Sequence, residues 1–190
     1  MKVGVLALQG AFRAHADKLT ELGVDVREVR LPDHLEEVDA LVMPGGESTT
    51  MSMLLESSGL FDPIADRLDD GMAVLGTCAG LILLSSDIED GRADQRSFGR
   101  FDLAVQRNGY GRQIESFETD LETTVTDEPV HAVFIRAPRI VSAGESVEVL
   151  AHARGDAVLV RSGNALGASF HPELATDTRI HRLFLDSVAS

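Results

Sequence analysis

Cysteine is nearly absent from this 190-residue chain; Cys78 is the only one. A single thiol excludes an internal disulfide framework and a multi-cysteine zinc site. Tryptophan is missing, tyrosine occurs once, and aromatic residues reach only 5%. Lysine occurs only at positions 2 and 18, so the basic residues are almost all arginine. Basic side chains number 17 against 31 acidic ones, a net charge of −14. That balance leaves no basic stripe for nucleic acid and no attraction to an anionic membrane. No apolar run approaches the ~18 residues of a membrane helix. The longest stretch, 72–84, is interrupted by Gly76, Thr77 and Gly80. Met1-Lys2 leads straight into a strand-like run, without a basic segment and cleavage site, so a cytoplasmic location is expected.

What is present is ordinary for a globular domain: 44% apolar and 25% charged residues. The length predicts one domain over residues 1–190. Such a chain hides roughly 70% of its unfolded surface. Many acids, few lysines and few aromatics also predict adaptation to high salt. There, screening over about 3 Å at 1 M removes self-repulsion; the plainer reading is an ordinary acidic cytosolic protein.

Residues 2–8 form a continuous apolar run of strand length, as buried parallel strands do. A helical spacing follows over 11–22 and is stopped by Gly23. Strands are predicted at 24–31, 39–43 and 72–75, and helices at 48–57, from Asp62-Pro63 onward, and at 79–84. Strand–helix alternation predicts a parallel sheet covered on both faces. The second half differs. Residues 87–99 read as a polar loop; 101–107, 115–125, 130–135, 146–153, 157–161 and 165–170 read as strands separated by turn signals. A last helix, capped by Thr176 or Asp177, aligns Ile180, Leu183, Phe184 and Val188 on one face. The sheet is therefore expected to gain antiparallel strands late in the chain.

Gly76-Thr77-Cys78-Ala79-Gly80 stands between a strand and a helix. Such a turn forces its central residue onto a strained bend at the carboxyl end of the sheet, where open α/β folds bind ligands. A cysteine there also meets the positive end of a helix, which favours thiolate, and the Ala79 N–H faces the place where an oxyanion would form. The alternative is a small buried apolar cysteine. A nucleophilic cysteine needs a base and the base an orienting partner. His171-Pro172-Glu173 supplies both: Pro172 favours an extended conformation at His171, and residues two apart in an extended segment lean to one side. A loop histidine beside a surface glutamate is the plain alternative. His15, His34, His131, His152 and His181 read as structural or solvated. Pro44-Gly45-Gly46-Glu47-Ser48-Thr49-Thr50 ends another strand, so its backbone N–H groups join the same rim; Ser48 or Thr49 would also cap a helix there.

Taken together, these motifs resemble the class I triad glutamine amidotransferases, and within them the glutaminase subunits of pyridoxal 5′-phosphate synthase complexes. Leu8-Gln9-Gly10-Ala11, Arg107-Asn108, Gly111-Arg112-Gln113 and Phe134-Ile135-Arg136-Ala137-Pro138 carry the closer likeness, which runs from about residue 3 to 188. The resemblance implies a flavodoxin-like three-layer α/β sandwich with a mixed, mainly parallel central sheet. It implies hydrolysis of L-glutamine by Cys78, His171 and Glu173, with an oxyanion hole at Gly46 and Ala79. Gly46, Glu47, Ser48, Arg107, Ile135 and Arg136 would hold the substrate. From the residues alone, Arg107 and Arg136 read as surface ion pairs. The family delivers its ammonia to a barrel-shaped synthase subunit, so the chain would need that partner and no cofactor or metal of its own. A different triad glutaminase, or a non-catalytic α/β module with a reactive cysteine, remains the alternative.

Overall fold

The computed structural model describes residues 1–107, 109 and 116–188. Strand β1 (Lys2–Leu6) leads to helix α1 (Phe12–Glu21), β2 (Asp25–Val29), the short helix α2 (Pro32–Glu36) and β3 (Ala40–Met43). Helices α3 (Ser48–Ser57) and α4 (Phe61–Asp69) follow, then β4 (Ala73–Thr77) and α5 (Ala79–Leu84). The rest is mostly strand: β5 (Ser85–Ile88), β6 (Phe101–Gln106), β7 (Ser116–Leu121), β8 (Val130–Ile135), β9 (Arg139–Ala143), β10 (Glu148–Ala153), β11 (Asp156–Ser162) and β12 (Ala165–Ala168). Helix α6 (Arg179–Val188) comes last.

The central sheet has the order β10-β11-β12-β4-β3-β1-β2. Its five strands from β12 to β2 are parallel, and β11 and β10 are antiparallel. Strand pleating splits the apolar residues between two cores. Val3, Val5, Ala40, Val42, Ala73 and Leu75 face one side, against Leu19 of α1, Ile180 and Phe184 of α6 and Phe134 of β8. Leu6, Leu41, Met43 and Val74 face the other, against Met51 and Leu55 of α3, Ile64 and Leu68 of α4 and Leu81 of α5. Each of the Val, Leu, Ile, Met and Phe side chains contributes about 1.5–3 kcal/mol on burial, so both layers are tied to one sheet. This is the expected three-layer α/β sandwich with a mixed, mainly parallel sheet.

Several expectations need correction. Only β10 and β11 extend the central sheet; β5, β6 and β9 form a separate three-stranded sheet, and β7 and β8 a hairpin. The supposed loop from 87 begins inside β5, which pairs parallel to β6. Helix α2 and strand β9 have too few residues to establish a period. The expected strand over 115–125 begins outside the described residues and ends at Leu121. Asp177, not Thr176, supports the start of α6, its carboxylate accepting from the Arg179 N–H at 2.9 Å.

Candidate active site

The parallel register sets the site. Met43 pairs with Gly76, and Gly76 with Gly167, so β3, β4 and β12 end at one level. Beyond those ends lie Pro44-Gly45-Gly46, Cys78 and His171. Cys78 occupies the N-cap of α5 with φ +49° and ψ −105°, a region that non-glycine residues adopt only when surrounding structure enforces it. Two close approaches enforce it here. A Cβ on Gly80 would stand 2.0 Å from the Met43 carbonyl oxygen, and one on Gly76 would stand 2.9 Å from the Gly80 backbone. The Cys78 N–H donates to the Ala168 carbonyl at 2.8 Å, which ties the bend to β12.

The chain leaving β12 brings the imidazole. His171 has φ −108° and ψ +84°, and its N–H donates to the Val133 carbonyl of β8 at 2.8 Å. Residues 172–174 then form one 3-10 turn rather than the extended segment expected. The outcome is the same: His171 Nδ1 lies 2.8 Å from Glu173 Oε1. Burial disfavours a charged imidazole, but hydrogen bonds to Cys78 and Glu173 outweigh it and raise the ring to about 10. Gly45 seals this arrangement. A Cβ there would stand 2.5 Å from His171 Cε1 and 3.3 Å from Cys78 Cβ.

A cleft of about 360 Å³ opens above these groups. Cys78 and His171 line it together with Gly46, Glu47, Ser48, Arg107, Ile135 and Arg136. Glu173 is buried behind His171, and Ala79 is buried below the bend. The Ser48 hydroxyl is buried and has no protein partner among the described residues, so it is available to a ligand. Arg136 has φ +48°, a strained conformation at the mouth of the cleft. Glu47 differs from the helix-cap expectation, because it and not Ser48 or Thr49 caps α3. Its carboxylate accepts from the N–H groups of Thr49 (3.2 Å) and Thr50 (2.7 Å) and pairs with Arg107 Nη2 at 2.7 Å. Partial burial raises its pKa, yet the Thr50 hydroxyl, those N–H groups and Arg107 together bring it down to about 2. Asn108 and Gly111-Arg112-Gln113 lie outside the described residues.

Gln9, Ala11 and Ile82 also line the cleft, though the sequence assigned them no role. Gln9 Oε1 accepts the Glu47 N–H at 3.0 Å and sits where a Cβ on Gly46 would clash. Its place in Leu8-Gln9-Gly10-Ala11, at the end of the first strand, was the available signal. His15 is the larger omission. It is fully buried, with Nε2 3.3 Å from Glu173 Oε2. It lies 63 residues before Cys78 on α1, and no local pattern reveals such a contact.

The SNO glutamine amidotransferase family matches residues 5–190 of this chain. The chain belongs to that family. It is 53% identical to the pyridoxal 5′-phosphate synthase subunit PdxT of Mycobacteroides abscessus, over 98% of this chain and 96% of that one. It is 49% identical to PdxT of Thermotoga neapolitana, over 99% and 100%. A crystal structure of a glutamine amidotransferase superposes with a TM-score of 0.93 at 48% identity, covering 99% of both chains. The SNO family thus accounts for the sheet, the bend and the long-range motifs at once.

Proposed function

We propose that residues 1–190 act as one glutaminase domain in which Cys78, His171 and Glu173 split the side-chain amide of L-glutamine. The chain hydrolyses L-glutamine to L-glutamate and ammonia and supplies the ammonia to a barrel-shaped synthase subunit for pyridoxal 5′-phosphate synthesis. The observation that carries the residue assignment is the buried imidazole held between the Cys78 sulfur and the Glu173 carboxylate at the floor of the cleft.

The steps follow from these groups. The Cys78 thiolate attacks the amide carbon, and backbone N–H groups of Gly46 and Ala79 stabilise the oxyanion, each such donor being worth ~10²–10³ in rate. The C–N bond breaks as the His171 imidazolium gives its proton to the departing ammonia. A thioester to Cys78 remains. Neutral His171 then takes a proton from water, the hydroxide oxygen attacks the thioester carbon, and the C–S bond breaks to release glutamate. Glu173 keeps the ring in the orientation and tautomer both steps need. The Arg107–Glu47 pair presents a cation and an anion to the carboxylate and ammonium of the amino acid, with Ser48, Ile135 and Arg136 completing the pocket.

No helix among the described residues is long and apolar enough to cross a membrane, and the cytoplasm is the proposed location. The direct test is alkylation of Cys78 by a glutamine-like chloroketone. We expect labelling, with protection by free glutamine. In the complex, Cys78→Ala should abolish glutamine hydrolysis yet leave synthesis from added ammonia intact. Absence of both labelling and protection overturns the assignment.

A further inference from the structure

Behind the proposed triad lies a second layer of polar groups that the reaction above does not use. Glu173 Oε1 faces His171, while Oε2, which has no hydrogen-bond partner among the described residues, lies within ion-pair distance, 3.3 Å from His15 Nε2. The same His15 nitrogen lies 3.0 Å from Thr77 Oγ1, on the residue before the nucleophile. The other nitrogen, Nδ1, lies 2.9 Å from His181 Nε2 on α6. Both rings are fully buried. Burial lowers the pKa of both, that of His181 to about 3. Burial alone would raise the Glu173 carboxyl, but the facing His15 and His171 hold it below the usual range. His15 therefore meets the carboxylate as a neutral N–H donor, and the cation at Glu173 is His171.

Tautomer bookkeeping then leaves one satisfactory arrangement. A carboxylate only accepts, so its Oε2 faces a polar hydrogen rather than a lone pair if His15 carries the proton on Nε2, which Thr77 Oγ1 shares at 3.0 Å. His15 Nδ1 is then an acceptor and takes the His181 Nε2–H. His181 Nδ1, which has no partner among the described residues, is left as a bare lone pair. The reverse arrangement puts the proton on His15 Nδ1. It turns a lone pair of His15 Nε2 toward the Glu173 carboxylate and buries an orphaned His181 N–H, and both are costly.

We propose that His15 is a positioning residue for glutamine hydrolysis, its Nε2–H holding the second oxygen of Glu173 so that the first stays aimed at His171, with His181 fixing the His15 tautomer. This inference rests on the triad reading. Glu173 sits in a short 3-10 turn, where the terminal torsion of its carboxylate is broad and soft. The His15 N–H from α1, 3.3 Å from Oε2, restrains that freedom.

The test uses the complex with its synthase subunit. His15→Leu should lower kcat for glutamine hydrolysis about tenfold to a hundredfold, the usual range for one hydrogen bond to a charged group. KM for glutamine should stay within about twofold, because His15 does not reach the cleft. His15→Gln places an amide N–H the same number of bonds from the backbone and should restore most of kcat. Unchanged kcat in His15→Leu, or no recovery in His15→Gln, overturns the proposal while leaving the triad standing. Hydrolysis persisting in Cys78→Ala overturns the triad itself. The tautomers have their own readout that needs no destabilised variant. Nitrogen-15 spectra of histidine-labelled protein should show His15 and His181 both neutral and protonated at Nε2. A proton on His15 Nδ1 refutes the mechanism.

Discussion

Gly80→Ala tests the bend at Cys78, the proposed nucleophile, with the smallest possible change. Alanine is the better helix former by about 1 kcal/mol, so local propensity predicts a gain at this position in α5. The tertiary structure predicts the opposite. The new methyl would stand 2.0 Å from the Met43 carbonyl oxygen and 2.8 Å from its carbon, about 1.4 Å short of ordinary contact. The obstacle is backbone of a fully buried central strand, so no side chain can rotate away. Overpacking of this kind typically costs 1–3 kcal/mol, which exceeds the propensity gain. The strand end and α5 must part by roughly an ångström, and Cys78 moves with the helix while His171 stays with the chain leaving β12. A misplacement of about 1 Å costs on the order of 10²-fold in rate. Urea unfolding followed by circular dichroism should show a loss of about 1–2 kcal/mol, and ammonia release should fall about a hundredfold. Stability equal to or above the parent, with undiminished activity, would refute the argument.

Acid should destabilise the chain through its buried histidines. His181 is lowered from 6.5 to about 3 in the folded state, so between those values the unfolded chain binds more protons and stability falls as pH drops. His181→Phe should flatten that slope between pH 6.5 and about 3 in thermal melts; an unchanged slope counts against the neutral pair. Arg107→Lys loses the fork that now grips Glu47 and should raise KM for glutamine about tenfold with kcat little altered, read by steady-state ammonia release. The net charge of −14 should be better tolerated in salt, so the melting temperature should climb as KCl approaches molar concentration; a flat response ends the salt-adaptation idea.

The sequence alone determined the alternating core, because strand runs such as 2–8 and 39–43 must bury both faces. It also located the bend at Cys78, since Gly76 and Gly80 flank it at the one spacing a tight strand-to-helix turn requires. His171 and Glu173 were legible because only Pro172 separates them along the chain. Tertiary structure decided the rest. Which of Glu47, Ser48 and Thr49 caps α3 depended on Arg107, sixty residues away, drawing the carboxylate into place. The short elements α2, β5 and β9 exist because neighbours supply their hydrogen bonds, not because of any period of their own. His15 and His181 looked like ordinary histidines, for a ring's chemistry is set by what surrounds it. Their neighbours come from helices at opposite ends of the chain, brought together only when both pack on the same face of the sheet.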